Sequence, residues 1–324
     1  MSISAFPRSQ PATTPQDLVD AVDLVYKAGS RGYFESKTWK AIEPRAGALD
    51  TKDVKNSLDY LGNKKGFATL LLGIQLINTS AKETPADLAG VPFDSPAMKA
   101  RFHALVDALK RVLNPRVKYL SVGNEVDIYL SQHPGEWDSY RAFYEDAVRY
   151  VHSTLPGISV GVTATFDGAR GTSKARLASL AATSDVVILT YYPLGPGYKP
   201  RPAATAGSDM ATMVSLAGGK PLVLQEVGYP SASELSSSEQ AQADFVADVL
   251  QAWRTQGTRI PFLNFLGLHD ISPSQCDLYA GYYGQPGNRA FKAYLCSLGL
   301  RRADGAPKAS WQRLVDTAKA SGVA

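Results

Sequence analysis

The chain has few cysteines, methionines and histidines: two, four and four in 324 residues. So little cysteine excludes a disulfide-stapled scaffold and a cysteine-rich metal module. Cys276 and Cys296 fit no metal-ligand spacing and are read as free thiols, with a single disulfide tying a loop to the following helix left open. No stretch is long and apolar enough to span a bilayer. The longest, Phe67 to Ile77, is interrupted by Thr, Gly and Gln, so no membrane association is expected. Met1 to Pro15 lacks a charged segment followed by an apolar one, so no signal peptide is visible. A cytoplasmic location is expected if the chain is full length, and a secreted or periplasmic one if a leader has been removed.

Concentrated charge is missing as well. The formal net charge is +4, and the longest basic clusters are pairs such as Lys64-Lys65 and Arg301-Arg302. Nucleic-acid binders gather positive charge into a stripe, so no nucleic-acid partner is expected. There is no GxGxxG or GxxxxGK[ST] turn, which argues against dinucleotide and P-loop sites. Ser121 is not in a GxSxG elbow, and neither HExxH nor CxxC occurs. A Schiff-base aldolase barrel needs a lysine at a strand end, whereas Lys118 begins its strand. No cofactor and no metal are expected.

What is present is a regular alternation. Hydrophobic residues make up 44% and charged residues 20%, as in a globular chain with a sizeable core. Short β-rich runs alternate with longer amphipathic ones, which predicts βα units and a parallel sheet. Strands are predicted at Ile3–Phe6, Gly32–Ser36, Phe67–Leu76, Val117–Val122, Ile158–Thr165, Asp185–Tyr191, Pro221–Glu226 and Ile260–Leu268. Helices are predicted between them. One opens at Pro15 with Leu18, Ala21, Val22 and Val25 on one face, and another runs from Thr51 to Leu61 behind an Asp50 cap. Further helices are expected over Ser95–Leu113, Trp137–Leu155, Ser173–Ala182, Ser208–Leu216, Ser238–Thr255 and Asn288–Ser297. Eight such units in one chain predict an α/β fold, a single (β/α)8 TIM barrel over residues 1–324. A monomer is expected.

Two strand ends carry the chemistry. Val117-Lys118-Tyr119-Leu120 runs into Ser121-Val122-Gly123-Asn124-Glu125, and Pro221-Leu222-Val223-Leu224 runs into Gln225-Glu226. Barrel enzymes keep their catalytic groups at the C-terminal ends of strands, where these two glutamates fall. A pair of carboxyl groups in that setting suits glycoside hydrolysis, one ionised and one kept protonated. Either glutamate alone is more simply a surface group or a helix cap. The two together at the ends of strands four and seven point to a catalytic pair.

These motifs resemble the clan A retaining glycoside hydrolases, which are (β/α)8 barrels. The resemblance implies that Glu125 is the acid/base, Glu226 the nucleophile and Asn124 a ligand of the sugar 2-hydroxyl. Tyr191-Tyr192-Pro193 after strand six is similar to the clan position whose tyrosine hydrogen-bonds the nucleophile; Tyr192 is the first choice and Tyr191 the second. Trp39-Lys40-Ala41-Ile42-Glu43-Pro44 with Gly47 resembles a W-x-x-I/L-E-P…G stretch of several clan families. Gly123-Asn124-Glu125-Val126 and Tyr191-Tyr192-Pro193 are most similar to the endo-β-1,4-galactanases, and Glu226-Val227-Gly228-Tyr229-Pro230-Ser231 to endo-β-1,3-glucanases. The galactanase tryptophan after Tyr-Tyr-Pro is replaced by Leu194-Gly195, no strand-two arginine is evident, and strand eight carries Phe265 and His269 where tryptophan is frequent.

The expected activity is hydrolysis of a β-linked poly- or oligosaccharide with retention; the alternative is a barrel that binds carbohydrate without cleaving it. Sugar rings stack on aromatic faces, which makes Trp39, Tyr129, Trp137, Tyr198, Tyr279, Tyr282 and Tyr283 candidate platforms, the cluster Tyr279-Ala280-Gly281-Tyr282-Tyr283-Gly284 foremost. Asn78 and Gln75 near the end of strand three are candidate hydrogen-bonding partners of substrate. His269 is a candidate too, although a hydrogen-bonded rim histidine is the simpler reading. Glu43 reads as a brace, and Glu35 as a salt bridge at least as readily as a substrate contact.

Overall fold

A computed structural model describes residues 1–10 and 12–320. The alternation is realised as β1 (Ser2–Ile3), α1 (Pro15–Lys27), β2 (Gly32–Thr38), α2 (Lys52–Asp59), β3 (Thr69–Asn78), α3 (Pro96–Lys110) and β4 (Val117–Asn124). It continues through α4 (Trp137–Thr154), β5 (Ser159–Gly161 and Thr163–Thr165), α5 (Lys174–Thr183), β6 (Val187–Tyr191), α6 (Thr205–Leu216), β7 (Leu222–Val227), α7 (Glu239–Gln256) and β8 (Phe262–Phe265). Three helices close the chain: α8 (Pro273–Tyr282), α9 (Arg289–Cys296) and α10 (Ala309–Ala320). A short helix, Val126–Gln132, starts directly after Glu125.

The chain divides into two compact units. One comprises Tyr33–Thr190 and Leu216–Gln225, the other Met1–Gly32, Tyr191–Ser215 and Glu226–Ala324. In the first, β2, β3, β4 and the first half of β5 lie side by side. Here β3 and β4 run parallel, with Gly73 opposite Ser121 and Asn78 opposite Asn124. The second half of β5 pairs in parallel with β6, and Val187 N–H reaches Pro221 O at the foot of β7. In the second unit β1 pairs in parallel with β8, and the upper ends of β6, β7 and β8 are joined by Gly228 N–H to Tyr191 O and Leu266 N–H to Val227 O.

Each unit has its own core. On β3 the side chains of Leu70, Leu71, Leu72, Ile74, Leu76 and Ile77 have no exposed surface, as expected for a strand covered on both faces. Against them stands an aromatic layer in which Phe102 of α3 meets Phe143 of α4 edge-on at 5.1 Å. In the other unit α7 packs on α10, and Val246, Val249 and Leu250 of α7 and Trp311 and Leu314 of α10 are buried, while Phe245 of α7 lies against Tyr191 and Tyr229. Burying one such side chain fully contributes about 1.5–3 kcal/mol.

Helix starts follow local chemistry. Thr14 and Asp17 form a reciprocal capping box ahead of Pro15, Ser95 accepts from Met98 N–H, and Ser272 forms a second box with Gln275. Some boundaries differ from the sequence expectation. Thr51 takes the cap position of α2 without a side-chain bond, while Asp50 accepts from Lys52 N–H at 3.0 Å. The helix stops at Asp59 and widens through Tyr60–Lys65 before Gly66 ends it at φ +82°. Leu18 is 52% exposed rather than packed. The fifth strand is broken at Val162, and the eighth is shorter than its apolar run.

The two cysteines are paired. Cys276 of α8 and Cys296 of α9 form a disulfide with Cα atoms 5.8 Å apart, which corrects the expectation of free thiols. Periodicity alone did not show that Pro273–Tyr282 is a helix lying against α9. Among the described residues no helix is long and apolar enough to cross a membrane.

Candidate active site

Glu125 follows β4 at a point where the backbone has little choice. Gly123 has φ +96°, and a Cβ there would meet Val126 Cγ1 at 2.6 Å and Tyr140 Oη at 2.9 Å. Glu125 itself is left-handed, at φ 46° and ψ 45°, immediately before the Val126–Gln132 helix. Thr79, at the end of β3, is left-handed too, at φ 52°, and its N–H donates to Asn124 O at 2.9 Å. Two non-glycine residues in this region on neighbouring strand ends mark local strain, which clusters at functional sites.

The carboxylate of Glu125 is held at both oxygens. Thr190 Oγ1 donates to Oε1 at 2.7 Å and Thr79 Oγ1 donates to Oε2 at 2.8 Å. A hydroxyl can turn from donor to acceptor, so this clamp accommodates the carboxyl group with or without its proton. Two residues on, Asp127 is 3% exposed and accepts from Thr165 N–H at 2.8 Å and Thr165 Oγ1 at 2.6 Å, anchoring the helix that Glu125 precedes. Gly168 leaves the room: a Cβ there would lie 2.1 Å from Asp127 Oδ2. Burial pushes the Asp127 carboxyl up to about 6, the Glu125 charge adds to the rise, and the Thr165 bonds oppose it.

Asn124 has its amide orientation fixed by a buried polar chain. Thr163 Oγ1 donates to Gln225 Oε1 at 2.7 Å, Gln225 Nε2 donates to Asn124 Oδ1 at 2.7 Å, and Asn124 Nδ2 donates to Asn78 Oδ1 at 3.0 Å. Ser121 Oγ lies 2.6 Å from Thr163 Oγ1 and 2.9 Å from Gly123 O, so its single proton is shared between them. With Oδ1 already accepting, Asn124 presents its N–H side as the hydrogen-bonding edge.

Glu226 is set differently. Tyr192 Oη donates to Glu226 Oε2 at 2.7 Å. Gly228 permits this approach, since a Cβ there would meet Tyr192 Cε1 at 2.7 Å. The Tyr192 ring stands edge-on to Tyr294 of α9 at 5.6 Å. Tyr191 turns the other way, as successive residues of a strand do. It is fully buried and donates to Asp209 Oδ2 of α6 at 2.8 Å, so it does not hold Glu226.

Other sequence candidates fall elsewhere. Trp39 has no exposed surface. Its Nε1–H donates to Glu43 Oε2 at 2.9 Å and its ring stands edge-on to Phe102 at 5.6 Å, so it offers no face to a sugar. Glu43 also accepts from Gly47 N–H at 2.7 Å and Arg101 Nε at 2.7 Å, which makes it the expected brace. Tyr129 and Trp137 are buried as well. His269 is 6% exposed, with Nδ1–H donating to Phe6 O at 2.8 Å and Nε2 accepting from Arg301 Nε at 3.2 Å. Burial lowers its pKa, and both nitrogens serve the fold. Glu35 pairs with Lys37 at 3.5 Å, and burial raises its pKa. Asn78 joins the Asn124 chain, and Tyr282 stays 38% exposed.

Sequence reasoning missed Thr79, Thr190, Asp127 and Thr163. Thr79 follows Asn78 and Thr190 precedes Tyr191, so position at a strand end was the available signal. Among the described residues no group of three or more His, Cys, Asp and Glu side chains is arranged to hold a metal ion.

No family model matches the chain, and no curated protein matches it. Solved structures do. A GH5_18 protein from Bifidobacterium longum subsp. longum ATCC 55813, in complex with Manβ1-4GlcNAc, superposes with a TM-score of 0.72 at 17% identity over 94% of this chain and 73% of that one. An exo-beta-1,4-mannosidase from Opitutaceae bacterium strain TAV5 gives 0.74 at 17% identity over 98% of this chain and 59% of that one. A family 39 glycoside hydrolase from Bacteroides cellulosilyticus WH2 gives 0.67 at 16% identity, over 98% and 63%. At these identities the likeness concerns architecture: the chain has the α/β fold of these glycoside hydrolases, a (β/α)8 TIM barrel.

Proposed function

We propose that the chain is a retaining β-glycosidase, a single catalytic barrel domain that hydrolyses a β-linked oligo- or polysaccharide by double displacement. The observation that carries this reading is the pair of glutamates at the ends of β4 and β7, each with hydroxyl donors on its carboxylate. Glu226 acts as nucleophile. Its carboxylate attacks the anomeric carbon while Glu125 protonates the glycosidic oxygen, releasing the first product as an alcohol and leaving a glycosyl ester. Glu125, now ionised, takes a proton from water, which attacks the same carbon and frees Glu226. This chemistry requires the two carboxyl groups about 5–5.5 Å apart.

The surroundings support the division of labour. The Tyr192 phenol donates to Glu226 and stabilises its ionised form before attack. The Thr79 and Thr190 hydroxyls tolerate the proton that Glu125 gives and regains. Asn124, oriented by Gln225, turns its N–H toward a sugar 2-hydroxyl. For the sugar, β-mannosides come first, because two of the superposed structures are named for β-1,4-mannosidase activity or hold Manβ1-4GlcNAc. β-1,4-Galactan and β-1,3-glucan follow from the sequence motifs. The disulfide favours an oxidising compartment.

The test is product release from Manβ1-4GlcNAc, β-mannan, β-1,4-galactan, β-1,3-glucan and xylan, with the anomeric configuration followed by NMR. Retention is expected on one of them. Glu226→Ala should lower turnover by about 10⁴, and azide should then yield the α-glycosyl azide by a single displacement. Glu125→Ala with azide should yield the β-glycosyl azide. Binding without product would mean a non-catalytic carbohydrate-binding barrel, and near-parental activity in either variant would remove the assignment.

A further inference from the structure

Behind Glu226 stands a bank of rings. Tyr192 stands edge-on to Tyr294 at 5.6 Å, and Tyr294 is stacked with Tyr198 at 5.7 Å and 15°. Phe291 meets Tyr294 at 6.0 Å and Tyr283 at 5.8 Å, and Tyr283 meets Tyr282 at 5.0 Å. The contacts are continuous from the nucleophile's own tyrosine to the surface. Tyr282 is 38% exposed there, and Tyr279, one helical turn back on α8, is 44% exposed beside Leu278 at 70%. Large aromatic and aliphatic side chains at adjacent exposed positions of one helix are not needed to pack it.

We propose that this bank is a distal carbohydrate subsite, in which the exposed rings of Tyr279 and Tyr282 receive sugar units of a β-linked glycan beyond those at the cleaved bond. The inference rests on the hydrolase reading and extends it to the length of the substrate. Tyrosine suits the task because its ring stacks on the apolar face of a pyranose while its hydroxyl stays wet. The platform is also held rigidly. The Cys276–Cys296 disulfide joins α8 to α9, and Lys292 Nζ reaches Asp277 Oδ1 at 2.6 Å between the same helices. Tyr279 and Tyr282 lie on the first of these helices and Tyr294 on the second, so the rings keep their spacing without a ligand. The bank is formed by the loop after β6 and the helices after β8, and it stands in a chain whose eighth strand carries no tryptophan. The chain therefore reads as a processor of extended glycans.

Tyr282→Ala and Tyr279→Ala change exposed side chains, so the variants are expected to fold as the parent does. Binding is measured by calorimetry on the Glu226→Ala protein, with and without each change. The probes are β-1,4-manno-, β-1,4-galacto- and β-1,3-gluco-oligosaccharides of two to six units. For the series that binds, affinity should rise with length in the Glu226→Ala parent, and each tyrosine variant should lose roughly three- to tenfold on the longest member with no change on the disaccharide. A loss equal at every length, no loss at any length, or no length dependence in the parent overturns the subsite. Hydrolysis by the intact protein is scored separately. Length-dependent binding that is lost in the variants with no hydrolysis of any substrate keeps the subsite and ends the hydrolase reading. Hydrolysis of hexamer and dimer equally unaffected by the tyrosine changes does the reverse.

Discussion

Glu125 and Glu226 both end apolar strands, yet their surroundings are built from different materials. Near Glu125 stand small hydrogen-bonding groups: two threonine hydroxyls on the carboxylate, an amide chain through Asn124 and Gln225, and a buried aspartate two residues on. On Glu226 a phenol donates to the carboxylate, and behind that phenol stand rings. In the proposed mechanism Glu125 gives up a proton and recovers it, which calls for partners that can reverse their hydrogen bonds, as hydroxyl rotors can. In the proposed mechanism Glu226 stays ionised until it attacks, which calls for a fixed donor such as the edge-packed Tyr192.

That contrast can be broken by experiment, beginning where the effect should be greatest. Tyr192→Phe removes a donor to a charged group and should lower kcat by roughly 10- to 100-fold. The loss should be similar for aryl glycosides with good and poor leaving groups, because the nucleophile serves both; a loss confined to poor leaving groups would assign Tyr192 to the other carboxylate. Thr190→Val should cost roughly two- to tenfold, and here the loss should grow as the leaving group becomes poorer, since only poor leaving groups need the acid. A flat dependence would show that the hydroxyl clamp does not serve proton transfer.

Asp127→Asn should affect turnover least and stability most visibly. The Asp127 carboxyl sits at about 6 in the fold against 3.8 ordinarily, so between those values the folded state holds more protons than the unfolded one. Stability from this group is therefore present at low pH and is lost as pH rises through 4 to 6. The asparagine variant has no such loss, because its carbonyl keeps the Thr165 N–H bond and its amide can donate to Thr165 Oγ1. Unfolding free energies from denaturant titrations at pH 4 to pH 7 should shift in favour of the variant by on the order of 2–3 kcal/mol. A parallel course for the two proteins would mean that Asp127 ionises freely in the fold.

Much of this arrangement could be read from the chain. The βα alternation gave the architecture because short, nearly continuous apolar runs are distinguishable from longer runs of 3.6-residue period. Glu125 and Glu226 stood out because an acid after an apolar strand needs a reason, whereas Asn124 and Tyr192 were singled out by the resemblance to clan A motifs. Trp39 misled for a physical cause: its indole N–H finds a carboxylate four residues along its own chain, and that local bond is indistinguishable in sequence from an exposed platform. His269 misled similarly, since its partners Phe6 and Arg301 are distant in sequence. The threonines escaped notice because hydroxyl residues at strand ends are common, and only three-dimensional proximity to Glu125 singles out Thr79 and Thr190. The disulfide was equally hidden, as two cysteines without a spacing rule carry no pairing information.

The left-handed backbone at Glu125 has a consequence for the history of such a chain. That conformation costs an L-residue roughly 1–2 kcal/mol that glycine would avoid. Under selection for folding alone, position 125 should drift away from glutamate, whereas on the proposed mechanism pressure on turnover holds the acid in place. A lineage released from that pressure is expected to lose this residue early and to become more heat-resistant as it does so.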